Sequence, residues 1–457
     1  MVSQDADQLT LGVFADRPVV VQRHGGQISS DAGLLPIAEF DQRWRYNERM
    51  ADCLSDSRID PDHTLPSMLR QRMYGILADY EDCNDHDALR DDPIFKLVAG
   101  KSPEDDPLAS QPTLSRFENG VTITALWKLL EFLTDTGIER LREHHGGKLP
   151  DSLTLDMDPT DDATHGHQQL GLFHGYYEQH QYFPMVISEP TTRHIFYNHL
   201  RPGTVHAALG AEDNLMFVAE RLRQARSDMR IHARGDSGFG VPWMYEVCEN
   251  NGISYTFGIA GNSRLQEYAQ GLVDQAVVQY QETREKQRLF TAFSYRAHDW
   301  DRARTVIAKA ECHDKGTNLR FIVTSLPVTL SDDPQRLYDD YVQRGESEQR
   351  MDELKNGLHM DRLSCHRFMA NFWRLLLHTA AYNLLNALRD HEEVPEELRR
   401  AQPATWRSKL IKVAAIIVVS TRRVLVQIAR HWPFWNFYRA VGERAALLPA
   451  GLMPAGP

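Results

Sequence analysis

Cysteine pairs are missing from this chain. Its five cysteines, Cys53, Cys83, Cys248, Cys312 and Cys365, are scattered and form no CxxC. That excludes a disulfide framework and a cysteine zinc site, and it fits a reducing cytoplasm. Long hydrophobic runs are missing too. The longest strongly apolar stretch, Val413 to Val419, is far short of the roughly 20 residues that span a bilayer. Asp5 and Asp7 without an apolar block argue against a secretory signal. There is no internal repeat and no low-complexity block. From Leu398 to Gly442 there is no acidic residue, while Arg399, Arg400, Arg407, Lys409, Lys412, Arg422, Arg423, Arg430 and Arg439 are all cationic.

What is present is ordinary globular material. The 457 residues are 42% hydrophobic and 25% charged, enough for two or three domains with a large core. The net charge of −12 opposes non-specific attraction to nucleic acid. A binding face answers to its local field instead. The basic carboxy-terminal stretch therefore reads either as a phosphate-contacting surface or as a solvated face balancing the acid-rich segment 46 to 106.

Patterning divides the chain. Residues 1–145 read as mainly helical. Ser29-Ser30-Asp31 offers a cap ahead of Leu34, and Leu65 to Tyr80 and Ile123 to Leu141 carry helical spacing. Residues 146–260 alternate strands and helices: a strand over Leu153 to Asp158, a strand or hairpin within Tyr176 to Ser188, and a helix over Ala211 to Ala225. A strand over Met229 to Arg234, a helix over Trp243 to Asn251 and a strand over Ser254 to Ile259 follow. Residues 261–325 read as a β-rich insertion, from short alternating segments at Phe290 to Arg296, Thr305 to Ala310 and Leu319 to Thr324. Residues 326–395 hold helices over Leu337 to Asn356 and Arg367 to Arg389. In 396–457, Lys409 to Val419 and Val424 to Ile428 suggest a hairpin.

The segment from Tyr341 to Lys355 carries the most specific signal. Tyr341, Arg344, Glu348 and Lys355 stand at offsets of three, seven and fourteen. On one helix these fall within an arc of about 60°. An aromatic, two cations and a carboxylate on one stripe can hold a metal ion beside a polyphosphate backbone. Asp158 and Asp236 each follow an expected strand and end in a polar turn. Three carboxylates that converge suit Mg²⁺ or Mn²⁺. The bland readings are turn residues for the aspartates and a salt-bridged helix surface for the stripe.

These residues carry a resemblance. The segment 341 to 355 is similar, without a gap, to the Y-x2-R-x3-E-x6-K signature of bacterial insertion-sequence transposases of the DDE type. Asp156-Met157-Asp158-Pro159-Thr160 resembles the family's first-aspartate strand, and Arg234-Gly235-Asp236-Ser237-Gly238-Phe239 resembles its second-aspartate motif. Gln111 to Asn119 resembles a segment ahead of the catalytic domain in one branch. The resemblance implies an α/β fold with an RNase H-like mixed-sheet core, a β-rich insertion before the glutamate helix, and an amino-terminal helical domain that helps recognise DNA ends. It implies that Asp158, Asp236 and Glu348 hold two Mg²⁺ ions, with Mn²⁺ as substitute. It further implies that Tyr341, Arg344 and Lys355 contact transposon-end DNA. The expected partners are the element's terminal inverted repeats, target DNA and a second copy in a homodimer, in a bacterial cytoplasm at the nucleoid, with no membrane. Asp156 and Asp158 share a strand face, so either could be the first ligand; the D-x-T match falls on Asp158.

Two rivals stand beside this reading. One is a captured transposase that binds DNA without cutting. The other is a different enzyme with paired carboxylates, such as a glycosidase. His165, His167, His174 and His180 form a histidine-rich stretch suited to polar contacts or DNA approach, with a zinc site as the alternative. Trp300 stands among Arg296, Arg302 and Arg304, where it could stack on an unpaired base or fill a small core. Trp432, Trp435, Phe437 and Tyr438 form a cluster for a partner subunit or a local core.

Overall fold

The computed structural model describes residues 8–11, 17, 19–22, 25–391 and 394–445, with side chains described to 441. They divide into two compact units. One lies within Met1–Ala51, Asp56–Arg116 and Glu392–Pro457; the other comprises Asp52–Ser55 and Phe117–His391. The unit boundary thus follows Arg116, whereas the helical pattern continues to about residue 145. Among the described residues no helix is long and apolar enough to cross a membrane.

The strands in chain order begin with β1 (Gln8–Leu11), β2 (Val19–Gln22) and β3 (Gln27–Ser29). Next come β4 (Ser152–Pro159), β5 (Asp162–Ala163), β6 (Leu172–His174), β7 (Gln179–Tyr182), β8 (Met185–Ser188) and β9 (Ile195–His199). Then follow β10 (Arg230–Gly235), β11 (Ser254–Ile259), β12 (Gln287–Tyr295), β13 (Arg304–His313) and β14 (Gly316–Thr324). The last two are β15 (Ala415–Ser420) and β16 (Arg423–Ile428).

In the smaller unit, helices Leu34–Trp44 and Leu65–Leu77 meet at Asp41. That buried carboxylate accepts from the Tyr74 hydroxyl at 2.5 Å and from the Asn47 amide at 2.8 Å. The sheet β16-β15-β3 belongs to the same unit. Its hairpin falls where the pattern placed it, except that Arg407–Ile411 is a π-helical turn and the strand starts only at Ala415. The expected cap is corrected as well. Gly33 caps the first helix without a side-chain bond, and Asp31 instead pairs with Lys412 at 2.7 Å. Gly33 is required there because an added Cβ would lie 1.7 Å from the Leu410 carbonyl oxygen.

The larger unit is built on one mixed sheet in the order β12-β13-β14-β11-β10-β4-β8-β9. β4, β10 and β11 are parallel, and β8 and β14 run against their neighbours. The strands expected in 261–325 form, but they continue the main sheet through β14 instead of standing apart. Residues Ser263–Thr283 are a helix that the alternation reading missed. The helix packs on β12 and β13, where Ala276 meets Ala310 and Cys312.

Two long helices serve this unit. Ile123–His144 starts where the Thr122 side chain accepts from Ala125 N–H, and its buried face lies on β9. Thr134 donates there to the Phe196 carbonyl at 2.9 Å. Phe368–Arg389 is buried along nearly its whole length. A helix buried all round must satisfy its polar side chains internally. Asn383 does so by bonding both the N–H and the carbonyl of Ile195 at 2.9 Å. Arg389 pairs with the buried Glu353 carboxylate at 2.8 Å. Glu353→Ala should remove the buried carboxylate that pairs with that guanidinium and cost about 3–5 kcal/mol. A denaturation midpoint unchanged from wild type would refute the pairing's importance.

Candidate functional site

Parallel pairing of β4 with β10 sets Arg234 opposite Asp156 and Gly235 opposite Met157. One residue further on, Asp158 and Asp236 reach the same end of the sheet. Asp236 lies beyond the strand and caps the turn Ser237–Phe239, accepting from the Gly238 N–H at 2.8 Å. Asp158 is buried. Its Oδ1 accepts from Arg344 Nη1 at 2.7 Å, while its Oδ2 is buried without a hydrogen-bond partner. Desolvation pushes the Asp158 pKa up to about 7; the Arg344 cation and then the neighbouring Ser347 hydroxyl, which donates to the Arg344 carbonyl, pull against this, and the Asp156 and Asp236 charges add to the rise.

The signature segment does not form one continuous stripe, as its spacing suggested. Helix Asp333–Val342 ends at Gln343 and Arg344, helix Gly345–Asp352 follows, and Glu353–Gly357 is a π-helical turn carrying Lys355. The backbone stays in the right-handed helical region at Arg344, so the break is a local change in bonding. Its consequence is that the four side chains reach different targets.

Arg344 stands between Asp158 and Glu348, with Nη2 at 3.7 Å from the Glu348 carboxylate. Glu348 itself is three-quarters exposed, at 75%. Lys355 donates to the Asp161 carbonyl at 2.7 Å and carboxylate at 3.1 Å, and so fastens the loop just after Asp158. Tyr341 packs against the cluster of Ile307, Ile322, Leu337 and Tyr338. Its charge environment includes both Asp236 and Asp158. Asp158, Asp236, Tyr341 and Arg344 are therefore mutual neighbours, and Glu348 joins them through Arg344. Asp158, Asp236 and Glu348 do not have oxygens all within 4.8 Å of one another. The Arg344 guanidinium stands between two of them, Asp158 and Glu348.

Three site-forming residues, Arg234, Arg350 and Gly258, were given no role in the sequence reading. Asp156 is fully buried and held by Arg234 Nε at 2.8 Å and by Arg350 Nη2 at 2.6 Å. Arg234 also donates to the Asp340 carbonyl at 2.7 Å, and Arg350 to Ser188 Oγ at 3.1 Å. Both carboxylate oxygens of Asp156 are thus engaged by arginines, whereas Asp158 keeps one oxygen unpartnered. Gly258 was the third omission. A Cβ there would stand 2.8 Å from the Tyr341 hydroxyl and 2.9 Å from the Ser237 nitrogen.

Trp300 is buried against Tyr245 and Tyr295, with the Arg304 guanidinium 5.6 Å from its ring centre. Arg302 and Arg304 both pair with Glu249, so this is a small core and not an open stacking platform. His165, His167, His174 and His180 belong to no three-residue metal group among the described residues. Lys412 and Arg407 are spent on Asp31 and Asp79, whereas Arg422, Arg423 and Arg430 are exposed. Phe437 packs on Trp406 in a local core, while Trp432 and the half-exposed Trp435 pack on Tyr438.

A family model described as transposase DDE domain group 1 matches residues 11–450. No curated protein matches the chain. Among solved structures, the chain is similar to one described as a piggyBac transposase synaptic complex with hairpin DNA. The match has 10% identity and a TM-score of 0.42, over 94% of this chain and 87% of that one.

Two outcomes follow from this geometry. An Asp158 pKa of about 7 stands above the unfolded value of about 3.9. The folded state therefore keeps a proton that the unfolded chain has released. Its contribution to stability is fullest below pH 4 and is lost as pH rises through 7. Without divalent metal, the stability of Asp158→Asn relative to wild type should grow between pH 5 and 8, by on the order of a few kcal/mol; a flat difference rejects this. Gly258→Ala should cost about 1–3 kcal/mol by crowding. Part should return with Tyr341→Phe, because the hydroxyl is one of the crowded atoms; denaturation of the single and double variants decides.

Proposed function

Since this chain belongs to the transposase DDE domain group 1 family, we propose that it cuts the terminal inverted repeats of an insertion-sequence element and joins the freed 3′-hydroxyl to target DNA. It is a DDE-type DNA transposase. Asp158, Asp236 and Glu348 are the side chains that would hold two Mg²⁺ ions, with Mn²⁺ able to replace them. One observation carries this assignment: the buried Asp158 Oδ2 has no partner. A buried carboxylate oxygen is costly until a donor or a cation reaches it. Oxygen-rich sites of this kind suit hard divalent cations. Bound there, such ions supply water activation and leaving-group stabilisation for phosphodiester chemistry.

The chain's own residues do the rest. Arg344 is the counter-charge of Asp158 and Glu348 in this structure. Released from that pairing, its planar guanidinium can take a phosphate in two-pronged fashion. Lys355 holds the loop after Asp158 and stands ready as a point charge for the flanking backbone. Tyr341, wedged over Gly258, orients the strand near the cut. The adjacent parallel strands that present the two aspartates support an RNase H-like core. End recognition falls to the amino-terminal helical region and the exposed arginines of the carboxy-terminal hairpin. A homodimer would bring two ends together for concerted cutting at the bacterial nucleoid.

The test uses linear DNA carrying the inverted repeats that flank the reading frame, with and without Mg²⁺. Glu348→Gln should lose cleavage by more than about 100-fold, beyond the loss seen when outer-shell partners of a metal site are removed. DNA affinity should be retained, and it should fall steeply with salt in both proteins. Binding without cleavage in the wild type would favour the silent DNA-binding alternative. Equal cleavage by both proteins would remove Glu348 from the site.

A further inference from the structure

Beyond the carboxylates, the described residues line a separate polar cavity. β4 runs through Asp161 into β5, and the three-stranded sheet β5-β7-β6 forms one wall with the loop from Thr164 to Gly171. His366 and Arg367 form the other. The cavity has a volume of about 740 Å³. Its lining includes Thr164, His167, Gln168, His180, His366 and Arg367, and no carboxylate.

Its lining suits an anion. Arg367 is held in place, because its Nη1 donates to the Asn119 carbonyl at 2.8 Å. Arg367 is also the N-cap of the 22-residue helix Phe368–Arg389, whose dipole adds positive potential at that end. Thr164, a partly buried lining residue, has a hydroxyl without a hydrogen-bond partner. Gly171 keeps that hydroxyl uncrowded, since a Cβ there would stand 2.9 Å from it. Asp162, two residues before Thr164, is buried, and desolvation raises its pKa well above the ordinary range. Gln168 anchors the loop by donating to the Leu363 and Cys365 carbonyls, which ties the two walls together.

We propose that this cavity is a second phosphate subsite, taking one backbone phosphate of transposon-end DNA outside the Tyr341-Arg344-Lys355 segment. The inference rests on the reading of the chain as a DNA-cutting transposase. Chain length sets where that phosphate lies. Thr164 is six residues beyond Asp158, a path of at most about 20 Å. At 3.4 Å per nucleotide this is within about six base pairs of the cut.

The experiment walks single methylphosphonate linkages, which are uncharged, along a duplex carrying the flanking inverted repeat. Binding is measured for wild type, Arg367→Gln and His180→Ala. In wild type, one position within about six base pairs of the cut should cost roughly tenfold in affinity. In either variant the same position should cost less than about twofold, because the coupled partner is already gone. The slope of log affinity against log salt should fall by about one for Arg367→Gln. Penalties that persist unchanged at every position in both variants, with the wild-type salt slope, overturn the subsite while leaving the transposase reading intact. A wild-type protein that does not bind the repeat at all overturns both.

Discussion

The Asp156 carboxylate, buried between Arg234 and Arg350, is the constraint on which the site depends. Charges taken from water are expensive, and they persist only when every partner is in place. This one arrangement ties β4 to β10, and through Ser188 and the Asp340 carbonyl it also ties β8 and the signature helices. Each candidate ligand lies two residues from a member of the network: Asp158 from Asp156, Asp236 from Arg234, Glu348 from Arg350. On a strand a two-residue step returns to the same face, so Asp158 stands one layer above Asp156. On a helix it reaches the opposite side, so Arg350 points inward while Glu348 faces solvent. The inner layer is neutralised by protein cations. The outer layer is left short of positive charge.

That shortage explains the role of Arg344. It bridges Asp158 and Glu348, yet leaves Asp158 Oδ2 unpartnered. A single guanidinium is thus an incomplete counter-charge for the cluster, and burial answers with a carboxyl that holds its proton up to about pH 7. The chain's net charge of −12 does not conflict with DNA chemistry. The fields that matter are local: Arg344 and Lys355 near the carboxylates, and an imidazole-lined cavity farther along the same connection.

Much of the architecture was legible as periodicity. The helix Ala211–Ala225 and the strand Ser254–Ile259 fall where the pattern put them, because each has one buried face repeating at its own period. The misreadings have a common cause. Ser263–Thr283 buries only Leu265, Ala269 and Ala276, too thin an apolar stripe to stand out among neighbouring strands. The strands after it read as a separate insertion because pairing between β14 and β11 leaves no local trace. The break at Gln343 and Arg344 went unseen because a regular helix and an interrupted one share the same spacing of side chains.

By itself, the order of residues determined the element types, the Y-R-E-K spacing and the identity of Asp158, Asp236 and Glu348 as candidates. Those are short-range properties, set by side-chain period and turn chemistry. Tertiary structure alone decided that Asp156 is a buried anchor while Asp158 keeps an open oxygen. It also decided that Arg344 lies between carboxylates and that His180 and Arg367 line one cavity. Burial and ion pairing depend on which distant segments meet, and nothing in a local pattern carries that information.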